Sequence, residues 1–227
     1  MTIEIIDVEQ RSEAWFKARC GIVTASAVGK LITPRTVKPA SNDESRRLVS
    51  LLAAERVTGI VEETPTTADM WRGIEAEPYA RELYSQHHDT AIEVGFMRRH
   101  FDGFTIGYSP DGLVGDDGLI EIKSPRARGH FLTIVSGEVP LIYMAQLQTG
   151  LLVSGREWID FVSYVGGMPL WVKRVTPDPK WQAAILAAVE QAETDIVEHV
   201  SEYERVVVGL PTTERIDFNV VELKGIA

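Results

Sequence analysis

SPDGLVGDDGLIEIKSP, residues 109–125, sets an Asp ten positions ahead of a Glu-Ile-Lys, with Asp116-Asp117-Gly118 between them. Asp-Gly flanked by apolar runs is hairpin chemistry, because Gly accepts the backbone angles of a tight turn. A turn centred near Asp116-Asp117 pairs residues whose numbers sum to about 233, so Asp111 falls opposite the Glu121–Lys123 segment. Side chains alternate along a strand, so Glu121 and Lys123 share one face while Ile120 and Ile122 share the other. The isoleucines suit a core, which leaves the acids and the lysine together at the strand ends. Two carboxylates and a backbone carbonyl, that of Ile122, are the hard oxygen donors that Mg2+ takes. A cation held there acidifies a bound water and stabilises charge on a phosphoryl oxygen, and Lys123 is placed to orient that water or neutralise developing charge. The spacing alone also fits an exposed, salt-bridged hairpin.

The rest of the chain sets bounds on that reading. Its 227 residues are 44% hydrophobic and 25% charged, ordinary for a soluble globular chain able to bury a real core. No run approaches the roughly 18 apolar residues of a membrane span. The N-terminal MTIEIIDVEQRSEAW lacks the basic and apolar regions of a secretory signal. Cys20 is the single cysteine, which excludes internal disulfides and fits a reducing cytosol. The net charge of -10 argues against a nonspecific nucleic-acid binder. Yet basic residues gather at Arg46-Arg47, Arg98-Arg99-His100 and Lys123–His130, while acids dominate residues 178–217. A polarised molecule with one basic concave surface stays open.

Periodicity and turn chemistry predict one domain over 1–227. Helices are expected over residues 10–20, from Thr24-Ala25-Ser26 to about Ile32, from an Asn42 cap to Arg56, over 67–87, over 140–153 and over 178–205. Strands are expected at 91–97, 105–109, 113–114, 119–122, 158–164 and 170–175, with residues 34–40 as loop. The order gives an α/β fold, a central mixed sheet flanked by helices on both sides.

Further residues stand out. Glu77 shares a helix face with Met70, Ile74, Arg81 and Tyr84, where it fits either an i,i+4 ion pair to Arg81 or a contact with the metal cluster. Arg19 offers a planar donor fork suited to phosphate, and Ser26 and Ser109 offer hydroxyls to complete such a cradle. A helix cap by Ser26 and a surface ion pair by Arg19 are the plainer alternatives. In YMAQLQ (143–148), helical geometry puts Gln148 on the buried face with Leu141, Met144, Leu151 and Leu152. His87-His88 and His199 lack partners at metal spacing. The aliphatic stripe over 184–200 reads as core or subunit interface, and no Walker, Rossmann or zinc-knuckle pattern occurs.

WFKARCGIVTAS (15–26), GIEAE (73–77), SPDG (109–112), EIKSP (121–125) and YMAQLQ, in this order, resemble the lambda-exonuclease-like (YqaJ-type) viral recombinase family of the PD-(D/E)XK nuclease superfamily. The likeness runs from about Trp15 to Val153. It implies a restriction-endonuclease-like nuclease core and a Mg2+-dependent (or Mn2+-substituted) 5'-to-3' exonuclease acting on linear double-stranded DNA. Such an enzyme releases 5'-mononucleotides and leaves a 3' single-stranded overhang for recombination by strand annealing. The resemblance assigns Asp111, Glu121 and the Ile122 carbonyl to the metal, with Glu77 joining directly or through water. Lys123 and Gln146, rather than Gln148, complete the catalytic set. Arg19, Ser26 and Ser109 form a pocket for a 5'-phosphate, and Arg35 tracks the DNA. A ring-shaped homotrimer, a phage single-strand annealing protein as partner, and a phage- or prophage-encoded origin with action in the bacterial cytoplasm are likewise implied. The chain departs from the family at Arg72, where a family member carries Trp beside the Gly; this leaves open whether Met70 is an apolar wedge between strands. A nuclease of different polarity, a single-strand or endonucleolytic enzyme, and a non-catalytic DNA-binding module are the alternatives.

Overall fold

The computed structural model describes residues 2–62 and 67–215. Its elements in chain order are β1 (Thr2–Ile6), α1 (Glu13–Arg19), β2 (Val23–Thr24), α2 (Ala25–Val28), β3 (Ile32–Thr33), β4 (Lys38–Pro39), α3 (Asp43–Thr58), α4 (Ala68–His87), β5 (Ala91–Ile92), β6 (Phe96–His100), β7 (Thr105–Tyr108), β8 (Gly112–Val114), β9 (Gly118–Lys123), α5 (Ala127–Ser136), α6 (Leu141–Ser154), β10 (Trp158–Ser163), β11 (Trp171–Val175) and α7 (Pro179–Val206). The hairpin forms where the sequence predicts it, but its turn is Gly115-Asp116-Asp117, with the positive φ at Gly115 (+52°); Gly118, expected in the turn, instead opens β9 against the Trp158 ring. Across β8 and β9, Gly112 pairs with Ile120, Leu113 with Leu119 and Val114 with Gly118, so partner numbers sum to 232 and Asp111 lies level with Glu121.

The strands divide between two mixed sheets, ordered β1-β6-β7-β2 and β11-β10-β9-β8-β5, with β3-β4 a separate ribbon. In the larger sheet β9 runs parallel to β10 and antiparallel to β8. Helices cover both of its faces. Ile120, Ile122 and Val162 pack against Ala80 and Tyr84 of α4, while Leu119, Ile159 and Phe161 join the larger core with α3, α6 and α7. Full burial of each such side chain stabilises by about 1.5–3 kcal/mol, and strand alternation divides them between the two cores. The chain passes from β7 of one sheet to β8 of the other through Ser109-Pro110-Asp111. The motif that opened the reading therefore sits at the seam of the two sheets.

Several elements differ from expectation. The strand expected over 91–97 is two strands in different sheets. At Gly95 a Cβ would stand 2.3 Å from the Val8 carbonyl oxygen, so the chain crosses between sheets where only glycine fits. The helix expected to Ile32 is the four-residue α2 followed by a 3-10 turn over Gly29–Leu31. Helix α5 was not foreseen. Its Gly129 and its Thr133-Ile134-Val135 run are poor helix formers, and tertiary contact through His130 overrides them. His130 is fully buried, with Nδ1 2.7 Å from Ser163 Oγ and Nε2 3.0 Å from the Pro169 carbonyl. Helix α3 has its expected start, because Asn42 and Ser45 form a reciprocal capping box.

Candidate active site

A cleft of about 690 Å³ opens at the seam between the sheets. Asp111, Glu121, Ile122, Lys123, Glu77, Gln146, Arg19, Ser26 and Ser109 all line it, with Met70 and Arg72 at its rim. Of the residues singled out in the sequence, Arg35 stands apart. It is exposed in the turn between β3 and β4 and does not line the cleft.

Glu121 is the most deeply buried of the site's charged residues. Strand alternation turns it away from α4 and under α6, where it is 1% exposed. Its Oε1 accepts from Lys123 Nζ at 2.7 Å and from Gln146 Nε2 at 2.5 Å, and its Oε2 accepts from Tyr108 Oη at 3.2 Å. The face opposite the isoleucines is thus a second covered face rather than open solvent. Gln148, which periodicity alone favoured, is fully buried and does other work. It donates to the Thr176 carbonyl at 2.8 Å and accepts from the Asp178 N–H at 2.8 Å, tying α6 to the start of α7.

Asp111 replaces a missing ladder partner. The position opposite Ile122 is Pro110, which has no N–H to donate and whose carbonyl already accepts from Gln10 Nε2 at 3.1 Å. The Ile122 N–H turns instead to Asp111 Oδ2 at 2.6 Å. Alternation along β9 sends the Lys123 carbonyl to the Tyr164 N–H at 3.0 Å, and that of Ile122 toward the opposite edge, where β8 has ended. The Ile122 carbonyl and the Asp111 carboxylate therefore face one another's neighbourhood without a strand to claim them.

Glu77 approaches from α4 and makes the i,i+4 ion pair that its spacing offers. It accepts from Arg81 Nη2 one helical turn on, and it lines the cleft. Arg81 Nε also donates to the Asp111 carbonyl at 2.6 Å and Nη1 to Glu93 at 2.6 Å, so one guanidinium fixes the helix acid to the strand acid. Arg11 Nη2 lies 3.7 Å from the other Glu77 oxygen.

At the other end of the cleft, the Trp15 indole donates to Ser109 Oγ at 2.8 Å, and the Arg19 guanidinium lies 4.2 Å above the Trp15 ring. Arg19 Nη2 reaches Thr24 Oγ1 at 3.5 Å, itself 3.2 Å from Ser26 Oγ. This is a shallow array of donors and hydroxyls. It owes little to a helix dipole, because α2 has four residues and Thr24 makes no side-chain cap.

The electrostatics follow from crowding. Burial, and then the charges of Glu121 and Glu77, push the Asp111 carboxyl well above the ordinary carboxylate range. Burial raises Glu77 as well, partly offset by Arg81 and Arg11. For Lys123, burial alone would favour the neutral amine, but Glu121 and Asp111 outweigh it and hold the ammonium above its usual pKa. Burial, then Glu121 and Asp111, keeps the Tyr108 phenol protonated as a donor. Among the described residues no three His, Cys, Asp or Glu side chains stand in metal-holding geometry. The donor set that fits a hard divalent cation is mixed: two carboxylates and one backbone carbonyl, in a cluster whose acids outnumber their cations.

Tyr108 and Trp15 belong to the site although their spacing gave no sign of it, and Arg81, placed beside Glu77 by its spacing, also reaches Asp111. The Trp15–Ser109 and Arg81–Asp111 bonds join residues 94 and 30 positions apart. The one available signal was that Trp15 lies within the WFKARCGIVTAS motif.

Comparison with known proteins agrees with this arrangement. The model of the YqaJ-like viral recombinase domain matches residues 14–157. The alkaline exonuclease LHK-Exo from Laribacter hongkongensis is similar over 88% of this chain and 100% of its own, at 35% identity and a TM-score of 0.78. LHK-Exo in complex with dAMP matches with the same values. A phage-related exonuclease from Haemophilus somnus 129PT shares the fold at 18% identity and a TM-score of 0.58, over 80% of this chain and 96% of that one. No curated protein matches the sequence.

Proposed function

The chain belongs to the YqaJ-like viral recombinase domain family, a nuclease kinship, and from that premise we propose that it is a metal-dependent 5'-to-3' exonuclease on linear double-stranded DNA. The observation that carries the proposal is a single cleft with Asp111, Glu121, Lys123 and Gln146 at its centre and Arg19, Ser26 and Ser109 at one end. Asp111, Glu121 and the Ile122 carbonyl would hold Mg2+, or Mn2+ in its place, with Glu77 directly or through water. When bound, the cation supplies Lewis acidity toward a phosphoryl oxygen and lowers the pKa of its water.

The chain's own residues do the rest. Lys123, kept charged by its two acids, orients the attacking water and neutralises charge that develops on the phosphate. Gln146, donating to Glu121, holds that carboxylate in place and presents its remaining amide capacity to the scissile nucleotide. Arg19, Ser26 and Ser109 grip the 5'-phosphate exposed by each cut, so that a chain end rather than an internal bond is drawn to the centre. The products are 5'-mononucleotides and a 3' single-stranded tail. We place a single-strand annealing protein as the acceptor of that tail and a homotrimeric ring as the working form. Among the described residues no helix is long and apolar enough to cross a membrane.

The test is digestion of linear duplex labelled separately at each 5' and 3' end, with Mg2+ or with EDTA, and with 5'-phosphate or 5'-hydroxyl ends. The expected result is early release of 5' label as mononucleotide, retention of 3' label in long strands, faster digestion of phosphorylated ends and no activity in EDTA. Lys123→Ala should lose about 10²–10³-fold in rate. Early release of the 3' label, or cleavage in EDTA, overturns the proposal.

A further inference from the structure

Sheet order gives the cleft a direction. Asp111 and Ser109 reach β9 from its β8 flank, while Tyr164–Gly166 follow β10 on the other flank. A DNA strand whose terminal phosphate lies at Arg19 and whose next phosphate lies at Asp111 and Lys123 must continue toward that second flank. There Arg72 Nη1 and Arg126 Nε share one oxygen of Asp69, at 2.6 and 3.1 Å, and Arg72 Nη2 donates to the Ser124 carbonyl at 3.2 Å. Two guanidinium groups against one carboxylate leave a net positive charge and unused donors. The buried Ser124 Oγ has no hydrogen-bond partner among the described residues. Helix α5 begins at the same place with no side-chain cap, and in its first turn the Gly129 N–H turns back to the Arg126 carbonyl at 2.8 Å. Behind these groups lies a chamber of about 300 Å³, walled by Ala76, Pro125, Ala127, Tyr164 and Val165. It shares Arg72, Ser124, Pro125 and Arg126 with the main cleft.

We propose that this flank is a subsite for the nucleotide on the 3' side of the scissile bond. Arg72 and Arg126 bind its 3'-phosphate, displacing Asp69 from the arginines, and the chamber receives its sugar and base. Backbone charge, not base identity, is what the subsite reads, because no side chain in it is arranged to distinguish base edges. The subsite rests on the exonuclease reading above and adds a second grip, downstream of the cut, to the grip on the 5'-phosphate.

The test is release of the first nucleotide from a 5'-phosphorylated duplex in which the linkage one position 3' of the scissile bond is a neutral methylphosphonate. The wild-type protein should lose about tenfold in kcat/KM on that substrate, in line with one phosphate–arginine contact. Arg72→Gln/Arg126→Gln should lose about as much on ordinary DNA and little more on the methylphosphonate, since both changes remove one interaction. Arg72→Lys/Arg126→Lys should recover part of the loss. Multiplying losses, or an active wild type indifferent to the methylphosphonate, overturns the subsite. So does the case in which the double variant only relieves inhibition by free dAMP, which makes the chamber a product site. The wild-type arm needs no variant to fold. A wild type inactive on unmodified duplex sinks the exonuclease reading itself, an outcome distinct from indifference to the modified linkage.

Discussion

Asp111 shares a partly buried site with Glu121 and Glu77, and its carboxyl titrates well above the ordinary range because of burial first and those two charges second. The folded state therefore binds a proton that the unfolded chain releases near pH 3.9. Between that value and the raised one, stability falls as pH rises, because the native state holds more protons than the unfolded state. Asp111→Asn removes the penalty and retains an oxygen for the Ile122 N–H. Without metal, the variant should melt higher than wild type at pH 8, with the gap closing toward pH 4. A relief on the order of 1 kcal/mol corresponds to about 2–4 °C in a chain of this size. Mg2+ should raise the wild-type melting temperature and leave the variant's unchanged, and the variant should not cleave DNA. A metal-free wild type that is the more stable partner at pH 8 would contradict the account. At this scale the hairpin trio was legible, because a short three-residue turn and strand alternation fix which residues meet. Gln146 was not legible from periodicity, since α6 is covered on more than one face. Tyr108, Trp15 and the Arg81–Asp111 bond were hidden because these contacts depend on how two sheets meet, and no local spacing encodes that.

Helix α6 is positioned as much by what it lacks as by what it carries. A Cβ on Gly150 would stand 2.8 Å from Tyr108 Cζ and 3.1 Å from its Oη, the oxygen that donates to Glu121. Alanine normally improves a helix interior by about 1 kcal/mol over glycine. Here the gain is opposed by overpacking, typically about 1–3 kcal/mol, against a ring that is 1% exposed. Gly150→Ala should therefore lower the melting temperature by a few degrees rather than raise it. It should also reduce turnover, because displacing Tyr108 or α6 disturbs the Glu121 carboxylate from two sides, through Tyr108 and through Gln146. Thermal melting and steady-state rates check both parts, and a stabilised, fully active variant would mean that α6 and β7 can separate freely. Elements with strong local signals were legible: α3 from its Asn42 cap, α7 from its long aliphatic stripe, and the β8–β9 hairpin from the Gly-Asp-Asp-Gly run between apolar segments. The division into two sheets was not, since it turns on a close backbone approach at Gly95, and α5 was not, since a buried histidine rather than propensity holds it.

As a whole the chain is an acid, with a net charge of -10, proposed to work on a polyanion. The conflict is resolved by range. At physiological ionic strength charges beyond about 8 Å are largely screened, so what counts is the cleft's own lining, where Arg19 and the Arg72–Arg126 pair offer positive charge and a bound cation would offset Asp111, Glu121 and Glu77. If about three or four phosphates are neutralised there, the affinity for duplex ends should fall with salt at a log–log slope of about -2.7 to -3.6. Raising monovalent salt from 50 to 200 mM should then weaken initial binding by roughly 40- to 150-fold, and removing Arg126 should flatten the slope by about one. Run length separates a ring from an open cleft. A trimer that encircles the duplex is held topologically once loaded, so the number of nucleotides removed per engagement, measured with a heparin trap, should change little across that salt range. An open cleft is held by the same ion pairs at every step, so its run length should collapse in parallel with binding. Large apolar residues on β1, α5 and α6, including Ile5, Phe131, Val135 and Ile142, are exposed in the single chain and available to a neighbouring copy. Salt-sensitive loading with salt-insensitive run length is the expected pair of results; run length that falls with loading would leave the cleft intact as a site and remove the ring.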